Sequence, residues 1–153
     1  MTFLTFIVGA VVFLDQFTKL LVLRYLPLHS GKEVIPGFFN LVHTRNTGAA
    51  FSLLAGMPSF WRQTFFVGMT LLIVAMLFFA YRKVRSGDVW GRAAYSLIIG
   101  GALGNLVDRL RLNEVVDFLD VYVGSYHWPA FNVADSAISV GAVMLLISLV
   151  RGK

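Results

Sequence analysis

From Gln63 to Tyr81 the chain carries no charged residue, and its Phe, Leu, Ile, Val and Met side chains offer water little to bond. Such a stretch reads as a helix crossing a bilayer, because a hydrocarbon core about 30 Å thick takes about 20 apolar residues to span. Three more apolar stretches share the chain. The first, from Thr2 to Tyr25, is interrupted by Asp15-Gln16-Phe17-Thr18-Lys19. The uncharged runs Ala93 to Val107 and Ser136 to Val150 cover only ~22 Å each at about 1.5 Å per residue. To span, the third helix draws Asp108 and Arg109 into its end, and the fourth draws in Asp135 and Asn132. The expectation is one all-α integral membrane domain over residues 1–153, with four spans near 2–25, 61–81, 92–111 and 133–151.

With 58% hydrophobic and 14% charged residues, lipid must cover much of the surface, and no length remains for a separate soluble domain. The formal charge of +5 is scattered through apolar sequence, which fits contact with anionic headgroups and not nucleic acid. Cysteine is absent, so disulfides, thiolate nucleophiles and Cys-ligated metals are excluded. His29, His43 and His127 form no HExxH-type spacing, which argues against a zinc protease. Met1 to Leu14 lacks a basic leader and a small-residue cleavage site, so it reads as the start of a span and not as a removable signal.

If the four helices alternate, the end of the third, the start of the fourth and the connection from Leu26 to Phe60 meet on one side. Trp61, Trp90 and Trp128 sit at the span boundaries, as an interfacial belt requires. Orientation is a tie by number: Arg82, Lys83, Arg85, Arg92, Arg151 and Lys153 on one side, Arg24, Lys32, Arg45, Arg62, Arg109 and Arg111 on the other. The density of the cluster from Arg82 to Arg92 sets that side, and both termini, in the cytoplasm. Between the first two spans, Glu33 to Phe51 reads as short extracytoplasmic strands and turns around Pro36-Gly37 and Gly48-Ala49-Ala50.

On the third helix Gly101, Gly104, Asn105, Asp108 and Arg109 recur at spacings of three and four, forming one stripe of small residues, an amide and two charges. Gly100 and Gly104 make a GxxxG spacing that lets another helix approach closely. A packing seam closed by an Asp108 to Arg109 ion pair explains this pattern without chemistry. On the fourth helix Asn132, Asp135, Ser136 and Ser139 share a face. An acid at membrane depth costs at least ~2.5 kcal/mol unless partnered or neutral, so Asp135 should face the bundle; the plain alternative is that Asn132 or Asp135 caps the helix.

The stretch from Val115 to Val123 adds Asp117 and Asp120. Two carboxylates meeting in a poorly hydrated site share one proton, so that one activates water while the other protonates a carbonyl oxygen. Asp117 and Asp108 both stand as partners for Asp135. A Ser-Lys pair would need Lys19, whose depth matches no serine on this face; Asp15 and Lys19, spaced i, i+4, read as an intramembrane ion pair. In Arg45-Asn46-Thr47-Gly48, a turn accounts for Asn46 and Gly48 as well as a binding loop does.

The strings DQFTK at 15–19, RNTGAAF at 45–51, GGALGNLVDR at 100–109, VVDF at 115–118 and FNVAD at 131–135, in that order across four spans, resemble bacterial lipoprotein signal peptidase, also called signal peptidase II. The resemblance implies a bacterial inner-membrane enzyme with both termini cytoplasmic. It would cleave prolipoproteins just before a diacylglyceryl-modified cysteine, near the outer face. It implies Asp117 and Asp135 as catalytic residues and Asn46, Asn105, Arg109 and Asn132 around the substrate; by position in the chain, Gly48 joins Asn46 at the substrate, and Asp15, Lys19 and Asp108 stand in support. No cofactor or metal is implied. Partners would be lipidated prolipoproteins, membrane lipids and the inhibitor globomycin, with the chain a monomer. Two rivals use the same polar stripes: a proton- or ion-coupled transport subunit and a noncatalytic scaffold. A transporter would more often show internal repeats and more spans, and cleavage of a lipidated peptide separates all three.

Overall fold

The computed structural model describes residues 1–48 and 58–150. Its helices are α1 Thr2–Tyr25, α2 Ser59–Lys83, α3 Val89–Leu112 and α4 Val133–Val150. Of these, α1, α2 and α4 are long and apolar enough to cross a membrane. α2 is the most outward-facing: Tyr81 is its one buried residue, and Phe65, Met69, Leu72, Met76 and Phe79 are exposed. A bundle in water could not tolerate that face, whereas lipid covers it at no cost.

α3 is the hub, packing against α1, α2 and α4. Its small residues explain how. A Cβ on Gly100 would lie 2.9 Å from Val11 Cβ, one on Gly104 would lie 2.7 Å from Asp15 Oδ2, and one on Gly101 would collide with the carbonyl oxygen of Ala134. Gly141 of α4 returns the favour toward the Ala94 carbonyl. Close backbone approach of this kind supplies the packing that holds helices together where lipid is as apolar as leucine. α3 begins at Asp88, whose carboxylate accepts from Gly91 N at 2.9 Å, and ends at Asn113 in the left-handed region with φ +62°.

At the far end of α3 sits an antiparallel sheet of β1 Gly31–Ile35, β2 Phe39–Asn46, β3 Val115–Val123 and β4 Tyr126–His127, in that spatial order. The sequence pattern places strands only between the first two helices; the structure completes the sheet with β3 and β4 from the α3–α4 connection. β3 hides from pattern reading because Val115 to Phe118 are all buried, so its first half shows no alternation of apolar and polar faces. Val116 and Phe118 pack with Val22, fastening the sheet to α1. β2 and β3 pair Thr44 with Asp117 and Asn46 with Val115. Ala49, Ala50 and Phe51 of the RNTGAAF string, and Arg151 and Lys153 of the charge tally, lie outside the described residues.

Candidate active site

α4 starts where β3 and its return strand deliver Asn132. The Asn132 side-chain oxygen accepts from Asp135 N at 2.9 Å, and the Asp135 Oδ2 accepts from Asn132 N at 3.2 Å. This reciprocal pair is a capping box with Asp in place of Glu. The helix-capping alternative raised by the sequence is therefore realised, and it has a second consequence. With its oxygen and main-chain N–H committed to Asp135, the fully buried Asn132 turns its amide NH2 toward Asp117 Oδ1, at 2.7 Å. One asparagine thus holds both carboxylates, one through its cap and one through its amide.

The remaining oxygens of the two acids are also taken. Asp117 Oδ2 accepts from Asn46 Nδ2 at 3.1 Å, and Asp135 Oδ1 accepts from Asn105 Nδ2 at 2.8 Å. Asn105 can present only its NH2 to Asp135, because its oxygen is occupied by Lys19 Nζ at 3.0 Å and Asn132 Nδ2 at 3.2 Å. Burial, and next the negative charge of Asp135, push the Asp117 carboxyl up to about 6, against the hydrogen bonds from Asn46 and Asn132.

Behind this pair lies a buried charge cluster. Lys19 Nζ sits 2.8 Å from Asp15 Oδ2 and 2.9 Å from Asp108 Oδ2, with all three side chains nearly inaccessible. The i, i+4 ion pair expected on α1 is present. The seam expected between Asp108 and Arg109 is not: Asp108 pairs with Lys19, accepts from Gln16 Nε2 at 2.9 Å, and accepts from Val116 N at 3.1 Å. Adjacent helix positions do not face each other directly, and here Lys19 draws Asp108 toward α1 while Arg109 lies over Phe66. Asp108 is thereby committed to a cation and a strand, and Asp15 Oδ1 to Ala134 N at 3.0 Å in the first turn of α4, where the helix dipole favours an anion. Gln16, which sequence reasoning passed over, bridges Asp15, Asp108 and the Gly104 carbonyl.

Arg109 stacks over Phe66 with its guanidinium 5.4 Å from the ring centroid, donates to the Asn105 carbonyl, and lies within electrostatic reach of Asp135, Asp108 and Asp117. Gln63 donates to the Arg109 carbonyl, tying α2 to this end of α3. Gly48, with φ +87°, donates its N–H to Asn46 Oδ1 at 2.8 Å, so the turn that orients Asn46 is an Asx turn requiring glycine. A Cβ there would also meet Phe66 Cε2 at 2.5 Å. Ser136 donates to the Asn132 carbonyl, while Ser139 is exposed and outside the site. A second polar set, Asn40, Asp120 and His127, lies further along β3: Asp120 accepts from Asn40 at 2.8 Å and lies 2.9 Å from His127 Nδ1. Burial alone would raise the Asp120 carboxyl; the bonds from His127 and Asn40 outweigh it and leave the group below the ordinary range. Among the described residues, no three His, Asp or Glu side chains gather into a metal-ligand set.

Fold and site together define a membrane protein whose polar centre, two carboxylates among amides and a guanidinium, lies where the bundle meets a small sheet. The chain belongs to the signal peptidase II family: the family model described as Signal peptidase (SPase) II matches residues 7–151. A lipoprotein signal peptidase of Syntrophotalea carbinolica is 53% identical over 145 residues, which cover 95% of this chain and 89% of that one. One of Syntrophus aciditrophicus is 48% identical over 143 residues, covering 94% and 89%. A solved bacterial membrane enzyme, determined in meso at 1.9 Å resolution, superposes with a TM-score of 0.89 at 35% identity, covering 100% of this chain and 96% of its own. Membership makes this chain a peptidase of the membrane.

Proposed function

We propose that the chain is an aspartic endopeptidase that removes signal peptides from prolipoproteins inside the membrane, cutting just before the diacylglyceryl-modified cysteine. The observation that carries the reading is the double grip of Asn132, which brings Asp117 and Asp135 to one centre while Asp108 is spent on Lys19. One ionised carboxylate takes a proton from water as the water oxygen attacks the scissile carbonyl carbon. The other, protonated, gives its proton to the carbonyl oxygen. On collapse of the tetrahedral species, the C–N bond breaks, the amine of the modified cysteine leaves with the proton the first carboxylate took from water, and a hydroxyl proton returns to the other carboxylate as the carbonyl re-forms.

Asn46, Gly48, Asn105, Arg109 and Asn132 surround the substrate in this reading. Fixed amide and guanidinium donors in a site with little water stabilise charge at the carbonyl oxygen without reorganising as it develops. Asp15, Lys19 and Asp108 hold the frame. No cofactor takes part, the chain works as a monomer, and globomycin inhibits it.

The same reading puts four spans in the bacterial inner membrane, with α3 as the fourth crossing. Both termini and the Arg82 to Arg92 cluster then face the cytoplasm, and the sheet lies on the outer face. There the acyl chains of a lipid-modified cysteine anchor in the outer leaflet and present the scissile bond at the depth of the acids. The test is cleavage of a purified prolipoprotein, with and without diacylglycerol on the cysteine. Cleavage of the lipidated form alone, lost in Asp117→Asn, is the expected outcome; indifference to lipidation would remove the substrate assignment.

A further inference from the structure

At the end of the bundle opposite the acids, no Cα of α2 comes within 8 Å of a Cα of α4 among the described residues, and both helices pack against α3. The gap between them is an open furrow of about 1400 Å³. Its floor is Gly91, Tyr95 and Ile98 of α3, and its apolar walls include Ala80 of α2 and Ala142, Leu145 and Leu146 of α4. At its mouth stand Lys83 and Arg85. Neither makes an ion pair among the described residues. Among the described lining residues the one anion, Asp88, is engaged as the cap of α3 through Gly91 N.

We propose that this furrow is a binding site for an anionic glycerophospholipid, with an acyl chain along the α3 floor and the phosphate held by Lys83 and Arg85. An apolar trench alone would accept any lipid tail. Two uncommitted cations where the trench reaches the interface make it selective for a negative headgroup, as basic pockets between membrane helices are. The competing occupant, the apolar segment of a signal peptide, fits worse: such segments follow a positively charged leader, which Lys83 and Arg85 would repel. The proposal needs only that the chain resides in a bilayer; it does not depend on the aspartic mechanism.

The test is native mass spectrometry of the purified full chain titrated with palmitoyl-oleoyl phosphatidylglycerol or phosphatidylcholine. Two cations near a surface predict a preference for phosphatidylglycerol of roughly thirty-fold, lost in the Lys83→Gln/Arg85→Gln double variant. Ala142→Phe, which fills the trench, should weaken phosphatidylglycerol binding with the cations intact. If its circular dichroism shows misfolding, Leu146→Trp, at an exposed position, takes its place. Equal retention of the two lipids by the wild type, or a preference that survives the double charge variant, overturns the proposal. A filled trench that raises KM for prolipoprotein but leaves phosphatidylglycerol retention unchanged assigns the furrow to the substrate and overturns it equally.

Discussion

Replacing Asp117 with Asn should flatten a specific part of the protein's pH–stability curve. Asp117 is 3% exposed, and its carboxyl is raised from the ordinary 3.8 to about 6. Because the folded state binds the proton more tightly than the unfolded chain, this group's contribution is fully present below about pH 4. It is lost as pH rises through about 6, since stability falls with pH wherever the native state holds more protons. The difference corresponds to about 3 kcal/mol, or a fall of roughly 6–12 °C in Tm for a chain of this size. Other carboxylates titrate in the same window, so the informative quantity is the wild-type Tm minus the Asp117→Asn Tm at each pH. That difference should decrease steadily from pH 4 to 6.5 and then level off. Working with differences also cancels the fixed cost of aiming a new NH2 at the donors Asn46 and Asn132. Thermal melts in a mild detergent provide the data. A difference constant across this range would show that Asp117 is not raised, and the picture of two competing carboxylates would fail with it.

Three further outcomes follow from the geometry. Lys19→Met leaves Asp15 and Asp108 buried without their cation, and breaking such a cluster costs about 3–5 kcal/mol, to be read as a large fall in Tm and in inserted protein. Asp108→Asn keeps most of its contacts, so cleavage should fall only in proportion to lost stability; a stably folded but inactive Asp108→Asn beside an active Asp117→Asn would exchange their roles. Gly48→Ala forces an unfavourable φ and drives Phe66 away from Arg109, so KM should rise at least several-fold in steady-state cleavage while far-UV helicity stays unchanged.

The helical frame could be read from the chain because apolar runs and small-residue stripes report directly on lipid and on helix contact. So could the local pairing of Asp15 with Lys19, which needs only helical spacing. The reach of Lys19 to Asp108 was not readable, since a cation already matched within its own helix gives no sign of a second anion on another. The same limit sent Asp108 to Arg109, its neighbour in sequence, and left Gln16 out. β3 escaped because burial on both faces removes the alternation by which strands are recognised. With β3 unseen, nothing in spacing alone could tell Asp117 from Asp108 as the companion of Asp135. The choice of Asp117 comes from the resemblance; the register of β3 beside β2, which sets Asp117 opposite Thr44 and within reach of Asn46 and Asn132, is compatible with it.

The most direct test is single-turnover cleavage of lipidated prolipoprotein by Asp117→Asn, by Asp135→Asn and by the double variant, each checked for folding. Two acids working on one water act as a unit, so each single variant should be as inactive as the double, as happens when catalytic groups function only together. Losses that multiply from the singles to the double, or substantial turnover by either single variant, would contradict the account.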